Sequence, residues 1–207
     1  MSSEAMSIQP LAVPALDWDK QGGLVPAVVQ DAASHRVLML GYVSPESLAR
    51  TVETGFATFF SRSRQRLWTK GESSGHRLRV VALEADCDAD TLLLRVVPEG
   101  PTCHLGRTSC FAGAAGSTLG ALDAVVATRA RDLPEGHYTT KLLRAGVRRV
   151  AQKVGEEGVE TALAAVAQDD AEFLGEAADL AYHLLVLLRA RGLGLADVER
   201  VLAERAG

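Results

Sequence analysis

Cysteine is scarce in these 207 residues: there are three, at positions 87, 103 and 110. An odd number cannot close into a complete disulfide framework, and nothing else in the chain signals an oxidising compartment. Aromatic residues make up only 5%. No uninterrupted apolar run approaches the ~20 residues that a membrane-spanning helix needs. The first ten residues are polar and lack the apolar centre of a secretory leader. An excess of positive charge is missing too. The formal net charge is −4, which argues against general nucleic-acid binding while leaving room for local basic patches. The expectation is a soluble, cytoplasmic protein that engages neither membrane nor nucleic acid. What the chain has in quantity is apolar character, 47% of its residues, ample for a packed core in one large domain or two small ones.

The chain changes character near Phe111. Before it, short apolar runs alternate with turn signals. Residues 24–30 and 36–43 read as two strands of a hairpin, with a turn over 31–34. Ser44-Pro45-Glu46 reads as a helix start, an N-cap followed by proline at the first helical position, with the helix running through Leu48 to Glu53. Residues 57–61, 67–68, 77–86 and 91–97 read as further strands. The small residues over 113–117 suit a linker. Beyond them β signals vanish. Residues 119–131, 138–168, 170–191 and 195–206 read as helices, the second interrupted near Gly155. Leu174, Ala178, Ala181, Leu185 and Leu188 form an apolar stripe at helical spacing. The fold class expected is α+β: a strand-rich domain over 12–112, a linker over 113–118, and an all-α helical bundle over 119–207.

All three cysteines fall in one region that also carries three aspartates. The run Asp86-Cys87-Asp88-Ala89-Asp90 is followed by Gly100-Pro101-Thr102-Cys103-His104-Leu105-Gly106-Arg107-Thr108-Ser109-Cys110-Phe111. Thiolates are soft ligands that suit zinc, and carboxylates are hard ligands that suit magnesium. Three thiolates leave a tetrahedral zinc one position short, the position where a catalytic zinc holds water. His104 is an alternative fourth ligand of a structural zinc, although adjacent residues rarely turn both side chains to one ion. In an extended segment Asp86, Asp88 and Asp90 share one side and Cys87 takes the other; a solvated turn is the plainer reading of the aspartates alone.

The helical half carries its own carboxylates. On a helix, Glu156 and Glu160 lie four positions apart and Glu157 and Glu160 three, so they share a face. Glu176 and Asp179 are three apart on the next helix. Two helices joined around Gln168-Asp169-Asp170 run antiparallel and can bring the two groups together, where divalent cations would relieve their repulsion. Ordinary exposed glutamates are the bland alternative for any one pair. His183, four positions past Asp179, serves either as packing or to orient a carboxylate or meet phosphate. Lys141, Arg144, Arg148 and Lys153 form either a polyphosphate-binding face or a solvated one.

These clusters sit within longer motifs. The first half contains Phe60-Ser61-Arg62-Ser63-Arg64 and Leu67-Trp68-Thr69-Lys70-Gly71-Glu72-Ser73-Ser74-Gly75-His76 beside the Asp86 to Asp90 run and the Gly100 to Phe111 run. It resembles phosphoribosyl-AMP cyclohydrolase, with His76 where asparagine is common. The second half pairs Glu156, Glu157 and Glu160 with Glu176 and Asp179, preceded by Tyr138-Thr139-Thr140-Lys141-Leu142-Leu143. It resembles phosphoribosyl-ATP pyrophosphohydrolase. Together the halves resemble the fused bifunctional enzyme family of histidine biosynthesis. That resemblance implies two hydrolytic reactions on small nucleotide substrates. The C-terminal half would convert phosphoribosyl-ATP to phosphoribosyl-AMP and pyrophosphate, with Mg2+ on Glu156, Glu157, Glu160, Glu176 and Asp179. The N-terminal half would open the adenine ring of phosphoribosyl-AMP with water activated by Zn2+ on Cys87, Cys103 and Cys110. It further implies His104 as general base or proton shuttle, Mg2+ on Asp86, Asp88 and Asp90, and phosphate contacts from Arg62, Arg64, Lys70, Ser73, Ser74 and, in the second half, Lys141. A homodimer is implied, with Cys87 reaching the zinc of the partner. Two other readings stand beside this one: a single-activity enzyme with one relict domain, and a non-enzymatic zinc-binding module joined to a helical dimerisation domain.

Overall fold

The computed structural model describes residues 11–206. The polar segment 1–10 and Gly207 lie outside the described residues. The chain divides into two compact units, with the boundary between Ser117 and Thr118. The fold is α+β, strands first and helices after. Among the described residues no helix is long and apolar enough to cross a membrane.

The first unit is built on strands β1 (Val25–Asp31), β2 (Val37–Val43), β3 (Thr58–Ser61), β4 (Arg66–Thr69), β5 (Leu78–Ala85) and β6 (Leu92–Pro98), with helix α1 (Pro45–Thr54) after β2. A four-stranded sheet runs β2-β1-β6-β5, and β3 pairs with β4 in a separate hairpin. The β1–β6 pairing is parallel, whereas β1–β2 and β5–β6 are antiparallel. Alternation along β1 buries Val25, Ala27 and Val29, which meet Leu92, Leu94 and Val96 of β6 and Leu38 and Val43 of β2 in the core. Phe59 of β3 and Leu48 of α1 close that core. Gly41 is required there: a Cβ on it would overlap the Phe59 ring.

Helix α1 starts where the Ser44-Pro45 signal places it. The Ser47 amide donates to Ser44 Oγ at 3.2 Å and the Ser44 amide donates to Ser47 Oγ at 2.8 Å, a reciprocal cap. Residues 113–117 are tied to the first unit rather than free. The Ala114 amide donates to the Phe111 carbonyl (3.0 Å), the Ser117 amide donates to the Ser34 carbonyl (2.7 Å), and Gly116 lies against Arg36 too closely for any side chain of its own.

The second unit holds α2 (Thr118–Asp132), α3 (Tyr138–Ala145), α4 (Val147–Ala167), α5 (Asp170–Ala190) and α6 (Leu195–Ala206). Its core is Val126, Leu142, Val150, Leu185 and Val186. Gln168 and Asp169 alone separate α4 from α5, and Asp169 caps α5 by accepting from the amides of Ala171 and Glu172. Asp123 of α2, buried, binds the Arg189 guanidinium and accepts from the Leu195 amide, bracing α2, α5 and the start of α6.

Two expectations change. The interruption in the second helix falls at Gly146, not near Gly155. Gly146 has φ 86° and ψ 169°, a conformation that is nearly glycine-only, whereas α4 runs through Gly155 unbroken. The apolar stripe on α5 is buried only in its C-terminal part. Leu185 is buried, but Leu174 and Ala178 face solvent, as do Val159, Leu163 and Val166 of α4.

Candidate metal and substrate sites

The β5–β6 connection positions the aspartates. Residues 86–91 form a tight turn rather than an extended segment. The Asp86 amide donates to the Thr91 carbonyl (3.0 Å), Ala89 sits at φ 60°, and Asp86 Oδ1 accepts from the amides of Asp90 and Thr91, each at 3.0 Å. The hairpin has to close there, so alternation gives way to an aspartate-stabilised turn. The three carboxylates still converge, with one oxygen from each of Asp86, Asp88 and Asp90 within 4.8 Å of the others. The Asp17 amide donates to the Ala89 carbonyl (2.8 Å) and brings up Lys20, whose ammonium bridges Asp88 and Asp90, the latter at 2.8 Å. Those contacts hold Lys20 well above the usual lysine range and pull Asp90 below the usual carboxylate range.

The loop after β6 positions two thiols. Gly106, at φ 77°, permits a turn in which the Cys103 amide donates to the Arg107 carbonyl (2.9 Å) and the Gly106 amide to the Cys103 carbonyl (3.0 Å). The buried Ser109 hydroxyl then donates to the Val37 carbonyl (2.8 Å), and the Cys110 amide donates to the Leu38 carbonyl (2.8 Å). The loop is thereby fastened to β2, with Cys103 and Cys110 turned to each other. A hydrogen bond from the Leu105 amide lowers the Cys103 thiol, with Arg107 adding to it; Arg107 Nη2 stands 3.9 Å from the sulfur. Burial, and then the Cys103 charge, raise Cys110. Two thiols facing each other beside Arg107 offer soft ligands that suit a metal ion such as zinc.

Both cysteines line a cavity of about 560 Å3 together with Lys70, Ser73, Ser74, His76 and His104. Gly71, at φ 83°, shapes its wall by lying directly against the His76 carbonyl. Arg62 and Arg64 are not among its lining residues. Arg62 stacks on the Tyr42 ring, 3.7 Å from its centroid, and Arg64 lines a neighbouring depression with Ser61, Arg66, Trp68 and Glu72. Thr102, which sequence reasoning passed over, lines the cavity with a buried hydroxyl that has no hydrogen-bond partner among the described residues. Cys87 is exposed. Among the described residues it does not join Cys103 and Cys110 in any set of three donors within ion-binding reach.

In the second unit, Glu157, Glu176 and Asp179 each place an oxygen within 4.8 Å of the others. Glu157 is only 5% exposed. Glu156 is turned elsewhere: Gln152 Nε2 donates to it at 2.7 Å, and Lys153 and Arg149 pair with it at 3.0 and 3.7 Å. Glu160 flanks the trio. Burial, then the charges of Glu157 and Glu176, push its carboxyl above the usual range, a sign of surplus negative charge that a divalent cation would satisfy. His183, only 4% exposed, packs beside this site: its Nδ1 donates to the Asp179 backbone carbonyl (2.8 Å) and lies 3.6 Å from Glu157 Oε1, while Tyr138 Oη meets Nε2 at 3.2 Å. Lys141 is exposed one turn along α3 from Tyr138.

Two donor sets in two units call for two family matches, and the chain has them. Residues 39–112 match phosphoribosyl-AMP cyclohydrolase and residues 119–206 match phosphoribosyl-ATP pyrophosphohydrolase. The histidine biosynthesis bifunctional protein HisIE of Xanthomonas axonopodis pv. citri is 64% identical over 204 residues, covering 99% of this chain and 98% of that protein. The chain belongs to this bifunctional family of histidine biosynthesis. The HisIE protein of Escherichia coli K12 is 55% identical over 192 residues, covering 92% and 95%, and that of Xylella fastidiosa strain Temecula1 is 63% identical over 195 residues, covering 94% and 95%. As a member of the family, the chain is a bifunctional hydrolase with a cyclohydrolase and a pyrophosphohydrolase domain.

Proposed function

We propose that residues 119–207 hydrolyse phosphoribosyl-ATP to phosphoribosyl-AMP and pyrophosphate, and that residues 12–112 then open the adenine ring of phosphoribosyl-AMP. The observation that carries this division is that each unit gathers a donor set of its own: Cys103 with Cys110 beside a 560 Å3 cavity in the first, and Glu157, Glu176 and Asp179 in the second. Two such sets also speak against a relict domain and against a purely structural module.

In the first unit, Cys103, Cys110 and the Cys87 of a second copy would hold zinc. Zinc held there would lower the pKa of a bound water toward ~7 and so supply hydroxide at neutral pH. Exposed His104, beside Cys103 on the cavity wall, accepts the proton of the attacking water. Water oxygen bonds to carbon 6 of the purine, the bond from carbon 6 to ring nitrogen 1 breaks, and the proton passes to that nitrogen. Lys70, Ser73 and Ser74 meet phosphate at the cavity, with Arg62 and Arg64 outside it for the more distant phosphate. Asp86, Asp88 and Asp90 would hold magnesium.

In the second unit, Glu157, Glu176 and Asp179 would hold magnesium, with Glu156 and Glu160 at its edge. Magnesium held there would neutralise the triphosphate and favour attack by water. His183 lies beside the buried Glu157 carboxylate, 3.6 Å from Oε1, and Lys141 faces the polyphosphate. The homodimer is supported by exposed apolar residues on α4 and α5, Val166 at 83% and Leu174 at 63% among them. Thiolate ligands suit a reducing compartment, the cytoplasm. Supplying phosphoribosyl-ATP with both metals tests the reading: pyrophosphate and the ring-opened product should appear in equal amounts, and accumulation of phosphoribosyl-AMP as the end product would refute it.

A further inference from the structure

Lys153 stands one turn before the carboxylates of α4, and its ammonium is placed on them. It lies 2.6 Å from Glu157 Oε1 and 3.0 Å from Glu156 Oε2. The Lys153 side chain is 19% exposed and that of Glu157 only 6%, so the closer pair is largely withdrawn from water. Glu157 is also the buried member of the trio with Glu176 and Asp179. A single positive charge on a four-carbon tether therefore sits against one of the three carboxylates. An ammonium has three donors and no lone pair. It cannot join a cation's ligand set, and it repels a divalent ion brought to the same carboxylate.

We propose that Lys153 is a tethered counter-ion: it neutralises Glu157 in the cation-free protein, and the divalent cation displaces it toward the polyphosphate of the substrate. Its departure leaves no charge stranded. Glu157 gains the cation, and Glu156 keeps Gln152 Nε2 at 2.7 Å and Arg149 at 3.7 Å. A lysine ammonium free in water is protonated at neutral pH, so Lys153 leaves as a cation, suited to an anionic partner. The site thus exchanges one positive charge for two on loading, and the released charge is delivered where a triphosphate binds.

The inference rests on the trio being a cation site, and the test separates the two. Manganese(II), followed by its electron paramagnetic resonance signal, is titrated into the metal-free full-length chain and into Glu157→Gln, Lys153→Met and Arg200→Met. Arg200, paired with Glu204 on α6, controls for loss of a positive charge elsewhere. The class of sites lost in Glu157→Gln belongs to the trio. For that class, Lys153→Met should bind manganese about tenfold tighter than the native chain and Arg200→Met about equally. In the native protein, the lysine ammonium NMR signal that is absent from Lys153→Met should shift on addition of magnesium. If Glu157→Gln loses no class, the cation reading fails and the inference with it. If that class is lost but Lys153→Met, folded by circular dichroism, binds manganese equally or more weakly, the cation reading stands and Lys153 is a support rather than a competitor.

Discussion

Cys103 and Cys110 show how two chemically identical side chains are made unequal by their surroundings. The Leu105 amide and Arg107 stabilise charge on Cys103, while burial and that same charge oppose it on Cys110. In zinc-free protein, ultraviolet thiolate absorbance should therefore rise in separate steps, Cys103 ionising below the ordinary thiol value of 9.0 and Cys110 above it. Cys103→Ala should remove the early step and bring Cys110 down part of the way, since its partial desolvation remains. Superimposed titrations of the two thiols would contradict the geometry. The lysines follow a similar logic. Lys20 meets Asp88 and Asp90 across 68 positions of sequence, which no local pattern announces, whereas Lys153 and Glu157 are four apart and their pairing was open to reading from helical spacing.

Glycines decide the ends of elements, and two of them on the helical unit make opposite claims. Gly146 holds φ 86° and ψ 169° between α3 and α4; Gly155 lies inside α4 with open space where a Cβ would be. Gly146→Ala should cost about 1–3 kcal/mol, and Gly155→Ala should stabilise by about 0.5–1 kcal/mol. Urea unfolding followed by helical circular dichroism measures both; equal destabilisation by the two would mean that α4 breaks at Gly155 after all. Sequence alone did not separate them, because a glycine's identity does not state its φ. Other boundaries were legible because their chemistry is local: Ser44 and Pro45 open α1, and period-two burial marks β1. The Asp86 to Asp90 turn was legible as the gap between strands read over 77–86 and 91–97, but not in its detail. Its conformation follows from where β5 must meet β6, a pairing set by the sheet rather than by the five residues themselves. The convergence of Glu157 with Glu176 and Asp179 was legible from helical spacing and a short connection, as was the i,i+4 position of Lys153.

For the whole molecule, the half-exposed stripe on α5 and the stranded position of Cys87 point the same way. In the proposed homodimer, a second copy would cover the stripe and supply Cys87 to the thiol pair. Mixing Cys87→Ala with Cys110→Ala protein under subunit exchange should restore ring opening, because one site of each heterodimer then has all three thiolates. Verified exchange without recovery would assign the zinc to a single chain. The central claim is that two independent metal sites in two units carry successive hydrolyses, and product analysis of phosphoribosyl-ATP turnover by Cys103→Ala and Glu157→Gln protein tests it most directly. Cys103→Ala should release pyrophosphate at the native rate and accumulate phosphoribosyl-AMP. Glu157→Gln should release none, yet open the ring of phosphoribosyl-AMP supplied to it. Loss of both activities in either folded variant, or of the opposite activity, would contradict the account.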